Sequence, residues 1–121
     1  MNSRYDGRQA LGQAGEKAAA AFLATRGYQL LERNWRCRSG EVDIIAQNGP
    51  LLVFVEVRTR QSARYGTATE SVDVRKQRKL RQLASIYMQH TSRQTEQVQF
   101  DVLAMMRNGE EWRIQHIEQA F

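Results

Sequence analysis

Two aliphatic runs, Val42-Asp43-Ile44-Ile45-Ala46 and Leu51-Leu52-Val53-Phe54-Val55-Glu56-Val57, flank Gln47-Asn48-Gly49-Pro50, and each run holds one embedded acid. Short apolar runs bounded by turn residues read as strands. Asn48-Gly49 is a strong signal for a two-residue hairpin, because both central positions of a type I′ turn need positive φ. An ionised carboxylate inside such a strand is costly to bury unless a cation or donors compensate it. Asp43 and Glu56 are therefore predicted to mark a site.

A turn centred on Asn48-Gly49 pairs Gln47 with Pro50, Asp43 with Phe54 and Glu41 with Glu56. Side chains alternate along a strand, so Glu41, Asp43, Glu56 and Arg58 are expected on one face. Asp43 and Glu56 become diagonal neighbours, with backbones roughly 7–8 Å apart. A one-residue slip would send the two acids to opposite faces. Hard oxygen ligands at this spacing suit Mg²⁺ or Mn²⁺. On spacing alone a structural ion pair with Arg58 or Arg60 stands as the alternative, and Glu41 is a ligand, a group behind the ligands, a turn cap or the partner of a nearby arginine.

The rest of the chain reads as alternating elements. Residues 1–7 are expected to be a flexible lead-in. Leu11, Ala14, Ala18, Phe22 and Leu23 recur at helical spacing from Arg8 to Arg26, with Gly27 as the stop. Tyr28 to Arg36 is a strand. Residues 61–71 are polar and read as a loop, after which Ser71 or Asp73 caps a second helix running to His90. Val98 to Met106 is a strand, turned at Asn108-Gly109 into another near Trp112 to Ile117. The order α-β-β-β-α-β-β implies an α/β fold: a mixed β-sheet flanked by helices, as one domain over residues 1–121.

Length, charge and cysteine use narrow the classes. A 121-residue chain buries enough surface to need no disulfide, and Cys37 is its only cysteine, which suits a reducing, cytoplasmic setting. No signal peptide or membrane span is expected, since nowhere do 18 apolar residues run together. The formal net charge is +5, and lysine occurs only at Lys17, Lys76 and Lys79, so arginine dominates the basic residues. Such a domain attracts polyanions, although arginine-rich codon usage gives the same count. Arg75-Lys76-Gln77-Arg78-Lys79 opens the second helix and is expected, with Arg60 and Arg64, to track phosphates; Lys76, four before Leu80, begins the apolar side and is expected to point inward near the site, while Arg75, Arg78 and Lys79 face elsewhere, and a solvated helix face is the plainer alternative. Gly12 to Gly15 is not a P-loop. His90 and His116 are isolated, with no partner at metal or triad spacing, and are expected in surface or packing roles; Trp35 and Trp112 are expected in the core, with stacking on bases as the alternative, and Asp101 is expected to hydrogen-bond structurally.

Gly15-Glu16, Gly27-Tyr28, Asn34, Gly40-Glu41-Val42-Asp43, Val53-Phe54-Val55-Glu56-Val57-Arg58, Gly66, Lys76 and Phe100-Asp101 together resemble the uncharacterised YraN-type family. Asp43 followed by Glu56-Val57-Arg58 also resembles the D…(D/E)-x-K signature of the restriction-endonuclease-like PD-(D/E)XK superfamily, and the framing is similar to archaeal Holliday junction resolvases. The resemblance implies a restriction-endonuclease-like fold and a divalent-metal-dependent endonuclease acting on structured or branched DNA. It implies Asp43 and Glu56 as metal ligands, Glu16 of the first helix as the completing acid, and a homodimer by analogy. Arg58 stands where the superfamily has lysine, and a guanidinium stays charged where an amine can shed its proton. Arg58 therefore suits phosphate clamping rather than proton abstraction. A nucleic-acid-binding module without cleavage, and an adaptor docking an acidic protein, are the alternatives.

Overall fold

Helix α1 (Ser3–Thr25) ends where Gly27 adopts φ +87°. The Tyr28 N–H donates to Leu23 O at 3.0 Å and the Gly27 N–H to Ala24 O at 3.1 Å, the two bonds of a Schellman stop. The helix is drawn from Ser3, five residues ahead of the expected Arg8, so the stretch read as a lead-in is helical from that point. The structure is a computed structural model and describes residues 3–60, 72–93 and 97–121. The expected loop with Arg64, Gly66 and Ser71 lies outside the described residues.

The remaining elements are β1 (Gln29–Cys37), β2 (Gly40–Asn48), β3 (Leu51–Arg60), α2 (Val74–Thr91), β4 (Gln97–Asn108) and β5 (Glu111–Ile117). Asp73 caps α2, its side chain accepting from the Lys76 N–H at 2.9 Å. The strands form one sheet in the order β1-β2-β3-β4-β5. β3 and β4 run parallel and every other neighbouring pair is antiparallel. A parallel pair needs a crossover, which contains α2. This is the predicted mixed α/β arrangement, consistent with a restriction-endonuclease-like fold.

The sheet separates two cores. Leu80, Leu83 and Tyr87 of α2 pack on Leu52, Phe54 and Phe100, whereas Ala19 and Leu23 of α1 pack on Val53, Val55 and Leu103. Trp35 joins the first core edge-on to Tyr87, with ring centroids 5.4 Å apart, and Trp112 borders the second. No helix of the described residues is long and apolar enough to cross a membrane.

The hairpin differs from expectation by a definite step. Asn48 pairs with Leu51, so the turn residues are Gly49, at φ +59°, and Pro50. A turn on Asn48-Gly49 would be closed by the N–H of Pro50, and proline has none. Moving the turn to Gly49-Pro50 gives the closing bond to Leu51, and glycine at the first central position followed by a negative φ matches a type II′ turn. The register consequently shifts by two, which preserves faces; continued one step past its last pair, Ile44 with Val55, it would bring Asp43 opposite Glu56 instead of diagonal to it. The second hairpin likewise pairs Asn108 with Glu111 around Gly109, at φ +67°.

A candidate acidic site where β2 and β3 part

Ladder pairing between β2 and β3 stops at Ile44 and Val55, one step short of the two acids. There the Val57 N–H donates to Asp43 Oδ2 at 2.8 Å, so a carboxylate takes the place of a strand carbonyl. Alternation also breaks at Asp43. Val42 and Ile44, two residues apart, pack into different cores. Across β1, the paired residues Arg33–Ile44 and Trp35–Val42 bracket Asn34, which sits at φ +53°. Asp43 is thus turned towards the β3 backbone, at the point where the two strands diverge.

Its chemistry follows from that placement. Burial first, and then the charge of Glu56, push the Asp43 carboxyl up to about 7; the Val57 hydrogen bond opposes the rise, and Glu16 and Glu41 add to it. Glu56 is only 7 % exposed. Its Oε1 lies 3.5 Å from Arg58 Nε and 3.7 Å from Lys76 Nζ, so two cations from different elements share one oxygen. Lys76 points inward to the acidic pair, as its place four residues before Leu80 leads one to expect, with the Asp73 cap fixing the first turn of α2.

The other predicted residues fall into place around this pair. Glu16 is half-buried on α1 and bears on Asp43 through its charge. Glu41 is bound at 2.9 Å by Arg36 Nε across the β1–β2 hairpin, at an exposed position, so it faces outwards rather than into the pair. Among the described residues no three His, Cys, Asp or Glu side chains form a ready-made metal cage. Two carboxylates converging against their own repulsion still suit a hard divalent ion, with the remaining positions left to water and phosphate oxygens. Glu16, expected as the completing acid, is not gathered with Asp43 and Glu56 into such a cage among the described residues.

The basic run of α2 divides by contact. Lys76 meets Glu56, Lys79 Nζ donates to Ser39 O at 3.1 Å in the β1–β2 turn, and the Arg81 guanidinium lies 5.1 Å from the Phe100 ring centre and 5.4 Å from that of Phe121. Arg75 and Arg78 are exposed, as are Arg36 and Arg38 beside the turn that Lys79 grips. Arg58 and Arg60 close the rim at the end of β3. The contribution of Arg36 and Arg38 to this basic border was not anticipated; it depends on the β1–β2 turn meeting α2, which no local pattern announces.

Asp101 belongs to a separate network on the opposite face of the sheet from Glu56. It is 1 % exposed. Oδ1 accepts from Gln99 Nε2 at 2.9 Å and the Gln119 N–H at 3.0 Å, while Oδ2 accepts from Tyr28 OH at 3.3 Å and lies 2.7 Å from His116 Nε2. Burial, then the Asp101 and Glu118 charges, raise the Tyr28 phenol well above its ordinary value. The structural role expected of Asp101 is what this shows. His116 has the packing role expected of it, its ring centroid 6.0 Å from that of Phe22 and 5.6 Å from that of Tyr28; the sequence did not show Asp101 as its partner, which β4–β5 pairing and the tail bring to it. His90 is exposed in the last turn of α2.

Comparison with known proteins agrees with the sequence resemblance at the level of the family. The family model described as uncharacterised protein family UPF0102 matches residues 15–105. A UPF0102 protein of Rhodococcus opacus is 47 % identical over 113 residues, covering 93 % of this chain and 96 % of its own. One from Symbiobacterium thermophilum is 52 % identical over 93 residues, 77 % of this chain and 79 % of its own. A third, from Moorella thermoacetica, is 49 % identical over 104 residues, 86 % and 87 % of the two chains.

Proposed function

We propose, from the premise that the chain belongs to the UPF0102 family, that it is a divalent-metal-dependent endonuclease of the restriction-endonuclease-like, PD-(D/E)XK class, hydrolysing phosphodiesters in structured or branched DNA. One observation carries this reading: the Asp43 carboxyl, bound by the Val57 N–H at 2.8 Å where β2 and β3 part, is buried near the buried Glu56 inside a basic border, and burial first, then the Glu56 charge, push it up to about 7. Two acids so placed gain from a cation, and the border favours a polyanion as the source of further oxygens.

Asp43 and Glu56 would hold Mg²⁺ or Mn²⁺, with Glu16 supporting its water. A bound ion of this kind supplies an acidified water and a polarised phosphate. Arg58 suits the charge that grows on phosphorus oxygens, as a donor that stays protonated. Lys76 faces the same side and adds a second positive charge. Arg75, Arg78 and Lys79 hold flanking phosphates. The attacking water gives its proton to solvent or to a carboxylate, since His116 is committed to Asp101 and His90 stands at the far end of α2.

Purified protein is incubated with junction, flap, single-stranded and linear DNA in Mg²⁺ or Mn²⁺, beside Glu56→Ala. Nicking of at least one substrate by the wild type and its loss in the variant is the expected result; equal nicking by both removes the assigned site. A second reading, a binding module without cleavage, is favoured by Arg58 and Lys76 both occupying Glu56 Oε1. It predicts salt-dependent DNA binding with no nicking in either metal.

A further inference from the structure

Glycine inside a helix is destabilising relative to alanine, yet Gly15 lies in the interior of α1 and is buried. Thr59 accounts for it. A Cβ placed on Gly15 would overlap Thr59 Oγ1 and stand 2.8 Å from its Cγ2 and 3.1 Å from its Cβ. The other glycines of this helix, Gly7 and Gly12, have nothing within 4 Å of such a Cβ. Helix and strand therefore meet backbone to side chain at Gly15. Ala19 and Leu23, one and two turns on, continue the same line and are fully buried.

This contact joins the two sides of the acidic site. Thr59 lies three residues beyond Glu56 on β3, and Gly15 immediately precedes Glu16 on α1. Glu16 is one turn before the buried Ala20, so it projects towards the sheet rather than away from it. We infer that the Gly15–Thr59 contact is a positioning device that sets the distance of α1 from β3 and, through it, the reach of Glu16 towards the Asp43–Glu56 pair. The inference rests on the metal-binding reading above. A side chain at residue 15 lifts this part of α1 off β3, carrying Glu16 away from the water shell of the ion.

The test is Mn²⁺ titration calorimetry of the full chain at pH 8, with circular dichroism to verify folding. Gly15→Ala is expected to weaken binding about tenfold, a coupling of ordinary size for residues in contact. Adding Thr59→Gly to that variant removes the obstruction and returns affinity to near the wild-type value. In a Glu16→Gln background Gly15→Ala changes affinity by less than about twofold, because its effect passes through Glu16. If Gly15→Ala does not fold, Gly15→Ala/Thr59→Ala, which keeps only the more distant Thr59 Cβ position, is expected to show an intermediate loss. Unchanged affinity in Gly15→Ala, or an equal loss with and without Glu16, overturns the positioning role alone. A wild type that takes up no Mn²⁺ overturns the metal reading and this inference with it.

Discussion

Burial and the Glu56 charge oppose ionisation of Asp43, so the folded chain keeps that proton up to about pH 7 while an unfolded chain releases it near 3.8. Between those values unfolding liberates a proton. Stability therefore falls as pH rises from about 4 to about 7 and is level beyond, a loss of about 4 kcal/mol at roughly 1.4 kcal/mol per pH unit. Urea denaturation without metal should show this slope in the wild type. Asp43→Asn, which cannot ionise, should match the wild type near pH 4 and exceed it by a margin that grows to pH 7 and stays level to pH 8; identical pH profiles would refute the shift. Mn²⁺ reverses the penalty, because it binds the deprotonated pair. It should raise the melting temperature of the wild type more at pH 8 than at pH 6, and that of Asp43→Asn at neither. The two acids were legible because carboxylates stand out in aliphatic strands. Lys76, four residues before Leu80, was legible as pointing inward near the site; that Glu56 is the acid it meets was not, since a helix–strand contact depends on where the crossover lays α2.

The turns show what single-strand pattern leaves open. Asn48-Gly49 and Asn108-Gly109 both announced hairpins, yet each begins its turn at the glycine. In the first case the missing N–H of Pro50 was already legible in the sequence and decides the register. Elsewhere the necessary information is distant: Asp101 binds Tyr28 across 73 positions, and His116 and Gln119 reach it only through the β4–β5 pairing and the tail. That network ties the start of β1 to the last residues, where the Ala120 N–H donates to Phe100 O at 2.7 Å and Phe121 stacks on Phe100 at 5.1 Å. Asp101→Asn leaves buried donors facing an amide and should cost about 3 kcal/mol in urea denaturation. Mn²⁺ affinity of the folded variant should be unchanged, since Asp101 and Glu56 lie on opposite faces of the sheet; a parallel loss of affinity would show the two networks to be coupled.

At the scale of the whole molecule, a formal charge of +5 says that polyanions are attracted but not where they lie. The structure divides the basic helix into residues already engaged and residues turned to solvent. Arg81 rests on two aromatic rings and Lys76 on Glu56, whereas Arg75 and Arg78 are exposed. Each phosphate contact on duplex DNA contributes about 0.9 to the slope of log affinity against log salt. Replacing Arg75 and Arg78 together by alanine should therefore lower that slope by about 2, weakening binding evenly across sequences. Arg81→Ala should leave the slope alone and lower the melting temperature, because its guanidinium is used against Phe100 and Phe121. Fluorescence anisotropy over a salt series separates the two. Equal slopes in the wild type and in the Arg75→Ala/Arg78→Ala variant would place the phosphates elsewhere, with the exposed Arg36 and Arg38 beside the β1–β2 turn as the next residues to replace.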